Sequence, residues 1–375
     1  MRLADILECA WPEYARRYPH MPRRHVKAAH AIMACRTPAM GGRLFDCPDC
    51  GHKHFAYHSC NHRNCPQCGQ MDQRQWCEKQ QYRLRLNTEH FLVTFTVPES
   101  LRDLFRSHQA ELYPLLFGIT AQCIQHFAGD KKYFAGQTGI LSVLHTWSRQ
   151  LIYHPHIHCI VPAGALSEDG RRWRSGKRPD FLFAHKPFRQ HYRKLMQEAF
   201  AQTPYWSLIP KSVWREAWAV QFQPVGNARM ALAYLARYVN KTAISESRIL
   251  WHRDKNVCFS YTDSTTKAQK RCTLHEHEFL RRFFQHVLPP GFMRIRYYGL
   301  YHHSQKERLA RARAYLGVSD DAPEPVSCEP DPTPWICPHC DIPMQLVDTF
   351  RPLRNYRARG PPPPCISTAT PFENR

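Results

Sequence analysis

His154-Pro155-His156-Ile157-His158-Cys159-Ile160-Val161 is an extended run in which imidazoles alternate with apolar side chains. Successive side chains on a strand leave opposite faces. His154, His156 and His158 can therefore share one face, while Ile157, Cys159 and Val161 turn towards a core on the other. Pro155 disturbs ladder bonding at one end of the row. Two neighbouring runs, residues 90–97 (His-Phe-Leu-Val-Thr-Phe-Thr-Val) and 140–146 (Ile-Leu-Ser-Val-Leu-His-Thr), are rich in β-branched and aromatic residues and also read as strands. Around them lie helical patterns at 101–126, 186–202, 227–244 and 276–286, a strand pattern at 214–220, and hairpins at 167–177 and 257–273. This mixture predicts an α+β fold, an antiparallel sheet flanked by helices.

A second stretch bears on the first. Tyr234-Leu-Ala-Arg237-Tyr238-Val-Asn-Lys241 lies in a helical run, 227–243, that contains neither Gly nor Pro. Residues four apart stack on one helix face, so both phenols leave the same side, and Arg237 and Lys241 repeat the spacing on a neighbouring stripe. Either stretch alone has a plain structural explanation, surface histidines or packed tyrosines. Together they hold the parts of a phosphodiester-cleaving site. Two imidazoles about 7 Å apart along a strand can converge on a divalent cation. Beside it, a phenol with an ordinary pKa of about 10 needs nearby positive charge to act as a nucleophile near neutral pH. The cation, Arg237 and Lys241 would supply that charge.

The chain of 375 residues carries 52 Lys and Arg against 31 Asp and Glu, a net charge of +21 spread over its length. Such an excess points to a polyanionic partner, and nucleic acid fits it better than a membrane surface. With no run of eighteen apolar residues and no export signal, the expectation is a soluble, cytoplasmic protein. Sixteen cysteines in that compartment argue for metal rather than disulfides. Cys47-Pro-Asp-Cys50-Gly and Cys65-Pro-Gln-Cys68-Gly, fourteen residues apart, are expected to present four thiolates to one tetrahedral Zn²⁺. Four cysteine ligands leave no open position, so this zinc would be structural. Cys60 and His62 lie in the same loop and could replace a ligand or begin a second site, and Cys35 and Cys77 read as packing residues. Cys337-Pro-His-Cys340 is half of a second knuckle, with Cys328 and Cys365 as candidates for the rest. The expected domains are a helical and zinc-ribbon-like DNA-recognition module at 1–88, the catalytic domain at 89–318, and a linker with a partial knuckle and a Pro-rich disordered tail at 319–375.

The histidine and tyrosine elements resemble those of the HUH single-strand nucleases, and Tyr238-Val-Asn-Lys241 is similar to the Tyr-x-x-Lys motif of rolling-circle replication initiators. The order of parts is more specific. Basic helices, Tyr-His-Ser-Cys-x-x-Arg-x-Cys-Pro-x-Cys at 57–68, His-Thr-Trp at 145–147, the histidine strand and Tyr-Leu-Ala-Arg-Tyr at 234–238 resemble the two-tyrosine transposases of the insertion-sequence-ninety-one type over about residues 10 to 345. The resemblance implies an HUH nuclease core with His156 and His158 as ligands of a catalytic Mg²⁺ or Mn²⁺ and Tyr234 and Tyr238 as nucleophiles. It further implies nicking and rejoining of single-stranded DNA at transposon ends through a 5′-phosphotyrosine link, in rolling-circle transposition. Host helicase and replication proteins would be the partners, on the bacterial nucleoid. HUH nucleases usually have a third metal ligand. His154, His145 and Asn240 are the candidates here, with His154 taken as the working choice. The rival readings are a plasmid or phage replication initiator using the same chemistry, and a non-enzymatic zinc-ribbon DNA-binding regulator whose tyrosines only pack.

Overall fold

The computed structural model describes residues 1–68, 80, 84–176, 178–216, 218–239, 242–263, 265–318 and 335–352, without the side chains of Leu232 and of 235–239. In chain order the elements are α1 (Leu3–Arg17), α2 (Arg23–Ala34), β1 (Gly42–Asp46), β2 (Lys53–Tyr57), β3 (His90–Thr96), α3 (Arg102–Ser107), α4 (Gln109–Gly129), β4 (Gly136–Gln137), β5 (Gly139–Trp147), β6 (Tyr153–Pro162), β7 (Gly164–Ser167) and β8 (Trp173–Ser175). They continue with α5 (His185–Ala201), β9 (Val220–Gly226), α6 (Ala228–Val239), β10 (Ile249–Arg253), β11 (Asn256–Thr262), β12 (Gln269–His275), α7 (Glu276–Phe284), β13 (Ile295–Gly299), α8 (Lys306–Tyr315) and β14 (Gln345–Phe350). The strands pair antiparallel, and the fold is α+β. Among the described residues no helix is long and apolar enough to cross a membrane.

The chain divides into two compact units, Met1–Gly69 with Ile244–Phe284 and Glu329–Arg375, and Gln70–Ala243 with Gln285–Cys328. The expected boundaries at 88 and 318 do not describe this division, because residues distant in sequence pack together. In the first unit α1 buries Leu3, Ile6, Leu7, Ala10, Trp11 and Tyr14 along one face, the i, i+3, i+4 pattern of an amphipathic helix. Trp11 and Tyr14 meet Phe284 of α7 at ring separations of 5.6 and 5.8 Å, and His25 stacks on Phe284 at 5.5 Å. The sheet β10-β11-β12 leads into α7, so residues 244–284 belong with the amino-terminal helices. A second small sheet, β14-β1-β2, draws the carboxyl-terminal strand to the first hairpin.

In the second unit five strands run in the order β13-β5-β6-β3-β9. Strand alternation sorts the side chains onto two buried faces. Phe91, Val93, Phe95, Ile140, Leu144, Ile157, Cys159 and Val161 pack with Phe117 and Leu116 of α4 and with Phe188, Tyr192 and Met196 of α5. Leu92, Leu141, Val143, Ile160 and Val225 pack on the opposite side with Ala231 of α6 and Leu309 and Ala312 of α8. Ile157, Cys159 and Val161 thus enter the core expected of them.

Two local expectations need correction. The helix expected at 101–126 is two, interrupted at His108, whose backbone (φ −121°, ψ 45°) leaves the helical region. Residues 214–220 are not a strand throughout: a 3₁₀ turn covers Lys211–Arg215, and β9 begins at Val220. Trp214 and Trp218 stack at 5.6 Å with rings 8° from parallel, and Trp218 Nε1 donates to the Val213 carbonyl. Their four-residue spacing reflects that stack, not strand alternation.

Candidate active site and metal centres

The register of β5 on β6 sets His145 opposite His156, and β3 on β6 sets Thr94 opposite His158. His145, His156 and His158 each bring a ring nitrogen within 4.8 Å of the others. Their ring centroids are 4.8 to 5.3 Å apart. His145 is 2 % exposed and stacks on Trp147 at 4.8 Å. His156 Nδ1 lies 2.7 Å from the His154 carbonyl. A carbonyl can only accept, so in the neutral ring Nδ1 carries the proton and Nε2 the lone pair. His158 Nδ1 is 2.9 Å from Thr94 Oγ1. Burial pushes the pKa of His156 down to about 4 and also lowers that of His158, which keeps both rings neutral, the form that ligates metal.

His154, the working third ligand, is not in this trio; His145 is. The His154 ring stands 5.1 Å from that of His156, and its buried Nδ1 has no hydrogen-bond partner. Sharing a strand face put His154 in line with its neighbours. Convergence on one point instead needed a residue from the adjacent strand. His145 was already legible as a candidate ligand within His-Thr-Trp at 145–147; the cross-strand register that selects it over His154 is tertiary.

Gly226, at φ +75°, turns the chain from β9 into α6 in a conformation that favours glycine. Asn227 then caps the helix, its Oδ1 accepting from the Met230 N–H at 3.0 Å. The helix lies across β9, β3, β6 and β5. Ala231 packs in the same cluster as Val225, and the Tyr234 hydroxyl donates to Gln223 Oε1 at 3.5 Å. Gln223 and Gln221 fall on the sheet face that carries the three imidazoles, and Gln221 lies across Thr94 from His158. With strands about 4.8 Å apart, Gln221 is roughly 10 Å from His158. The side chains of Arg237 and Tyr238, and residues Asn240 and Lys241, lie outside the described residues.

Among the described residues the cysteines form two tetrads, not the single Cys47, Cys50, Cys65, Cys68 site expected from spacing. Cys47 and Cys50 join Cys337 and Cys340. Cys65 and Cys68 join Cys35 and Cys60. In the first tetrad Sγ–Sγ separations are 3.3 Å (Cys47–Cys340), 3.6 Å (Cys50–Cys337) and 3.7 Å (Cys50–Cys340). In the second they are 3.4 Å (Cys35–Cys68) and 3.6 Å (Cys60–Cys68). Tetrahedral Zn–S bonds of about 2.3 Å space sulfurs about 3.8 Å apart, so both tetrads fit zinc closely. Cys35, expected to be a packing residue, is instead a member of a tetrad, and Cys77, Cys328 and Cys365 lie outside the described residues.

The first tetrad joins two matching knuckles. The N–H of Gly51 donates to the Cys47 carbonyl and that of Asp341 to the Cys337 carbonyl, each at 3.0 Å. Gly51 (φ +68°) and Asp341 (φ +54°) fill the same left-handed position, which Asp tolerates better than most residues. Pairing of β14 with β1 brings the second knuckle to the first. Spacing along the chain does not reveal this pairing, because the two knuckles lie some 290 residues apart. The entropy of closing a loop rises only logarithmically with its length, so a partner some 290 residues away costs only about 2.7 kcal/mol more than one fourteen away, well below what a zinc site returns.

Comparison with known proteins gives two matching family models, "Transposase zinc-binding domain" over residues 6–97 and "Putative transposase" over 139–308. The chain is 34% identical over 342 residues, covering 86% of itself and 85% of the relative, to "Putative transposase y4qJ" of Sinorhizobium fredii. It is 30% identical over 295 residues, covering 73% of itself and 69% of the relative, to "Transposase for insertion sequence element IS801" of Pseudomonas savastanoi pv. phaseolicola. No solved structure matches.

Proposed function

Because this chain belongs to the transposase family of the insertion-sequence-ninety-one type, we propose that it nicks and rejoins single-stranded DNA at transposon ends through a 5′-phosphotyrosine intermediate, in rolling-circle transposition. The supporting observation is that α6, with Tyr234, packs on the sheet face that bears His145, His156 and His158. These three imidazoles would hold the catalytic ion, with His145 in place of His154. A divalent ion there would polarise a non-bridging phosphate oxygen. Three nitrogen donors suit Mn²⁺ better than Mg²⁺, which prefers oxygen ligands and keeps its waters. Mn²⁺ is therefore expected to support cleavage at lower concentration than Mg²⁺, which a titration of nicking against each ion would check.

In the nicking step the phenolic oxygen of Tyr234 or Tyr238 forms a bond to phosphorus as the bond to the 3′ oxygen breaks. The phenol gives up a proton and the departing oxygen gains one as a free 3′-OH. The energy of the broken bond is kept in the tyrosyl ester, so rejoining needs no nucleotide. Arg237 and Lys241 would balance charge on the phenolate. The second tyrosine would accept a strand while the first is occupied. The free 3′-OH would prime replacement synthesis with host helicase and replication proteins.

The test is cleavage of a labelled single-stranded transposon end with Mn²⁺, scoring covalent adduct on a denaturing gel. The double change Tyr234→Phe with Tyr238→Phe is expected to leave DNA binding intact and give no adduct. Adduct in the double variant would overturn the assignment. A finer prediction concerns Thr94, which supports His158. Thr94→Val should weaken Mn²⁺ binding by about 10–100-fold, while Thr94→Ser should not. Equal affinities for the two variants would show that the hydroxyl does not orient the ring.

A further inference from the structure

Among the described residues a further cluster of metal-ligand side chains lies apart from the imidazole trio and both thiol tetrads. Glu13 of α1 and Glu276 and His277 at the start of α7 bring a carboxylate oxygen each and a ring nitrogen within 4.8 Å of one another. His277 is 4 % exposed, yet neither its Nδ1 nor its Nε2 has a hydrogen-bond partner. A neutral imidazole offers one donor and one acceptor, and buried polar atoms are nearly always satisfied. The ring is held in place, edge-on to Tyr14 at 5.7 Å and to His275 at 5.0 Å, so it is not free to swing to solvent. Glu276 is also buried, at 5 % exposure, and one of its oxygens lies 2.7 Å from His252 Nε2.

The geometry points to a divalent transition-metal site formed by Glu13, Glu276 and His277, which fastens α1 to α7. A cation at their meeting point takes the lone pair of a His277 nitrogen and balances two carboxylates. The His252 contact to Glu276 is the kind of outer support that orients a ligating carboxylate. Two oxygens and one nitrogen suit Mn²⁺ or Zn²⁺. His277 also lines a cavity of about 290 Å³ together with Arg17, Tyr18, His275 and Glu278. Lys255 Nζ sits 3.0 Å from Glu13 Oε2, so the lysine competes for one of the ligands.

That competition supplies the test. The Glu13 and Lys255 side chains are 47% and 61% exposed, so neither substitution opens a hole in the core. Full-length protein carrying His156→Ala, which disables the imidazole trio, is equilibrated with Mn²⁺ and freed of unbound ion. Total metal is then counted by elemental analysis and Mn²⁺ affinity read by electron paramagnetic resonance. In that background His277→Gln is expected to bind one ion fewer than its parent. Glu13→Gln should weaken the affinity at least tenfold, and Lys255→Met should strengthen it severalfold. Equal ion counts in His277→Gln and its parent would overturn the site. So would an affinity indifferent to both Glu13→Gln and Lys255→Met, because an ion pair that is only structural predicts that indifference. None of these readouts depends on the tyrosine chemistry.

Discussion

His145→Ala is expected to abolish metal-dependent nicking, while His154→Ala leaves it within a few-fold of the parent. The expectation follows from register. His145 stands opposite His156 on the neighbouring strand, and its ring nitrogen converges with those of His156 and His158. Loss of an outer-shell partner costs about 10–100-fold in metal affinity or activity, and loss of a ligand itself should cost more. Because His145 is buried beneath Trp147, its truncation also leaves a small cavity. His145→Gln, which keeps most of the volume, separates the two effects: it should melt near the parent temperature and still fail to nick. Single-turnover cleavage of a labelled strand against Mn²⁺ concentration is the measurement. An active His145→Ala beside a dead His154→Ala would return the third position to His154.

The second large effect concerns zinc. Full-length protein is expected to hold two Zn²⁺ in its thiol tetrads, and Cys337→Ser with Cys340→Ser to lose one of them. Structural zinc binds with about 10–16 kcal/mol of apparent free energy, most of it available to folding. The sheet β14-β1-β2 should therefore come apart when its tetrad is broken, with early proteolysis of the carboxyl-terminal strand. Variants at Cys47 and Cys337 should show the same loss, and combining them should add nothing. A variant at Cys65 should lose the other ion and add to either. Zinc counts at equal protein concentration decide this. If Cys47 and Cys65 variants each lose the same single ion, the four-cysteine site suggested by spacing is right and the two tetrads are wrong.

Legibility in the sequence followed the range of the interactions. The strand at 153–162 was readable because alternation is fixed by backbone geometry: Ile157, Cys159 and Val161 had to bury together and the imidazoles had to oppose them. The helix that carries Tyr234 was readable for the same local reason, and Asn227 and Gly226 close its amino-terminal end. The strand pattern at 214–220 was not met throughout, because Lys211–Arg215 form a 3₁₀ turn and Trp214 and Trp218 stack on each other.

What the sequence by itself determined, then, is the set of local elements, the positive charge, the cysteine knuckles and the two chemical stretches. Each is written in neighbours a few residues apart, where backbone periodicity and turn geometry leave few choices. Only the tertiary structure decided which partners meet: His145 with His156 and His158, Cys337 and Cys340 with Cys47 and Cys50, Cys35 with Cys65, and residues 244–284 with α1. Those meetings depend on strand register and on contacts between distant segments. Chain separation does not forbid them, since closing a loop of some 290 residues costs only about 2.7 kcal/mol more than closing one of fourteen, less than a structural zinc site returns.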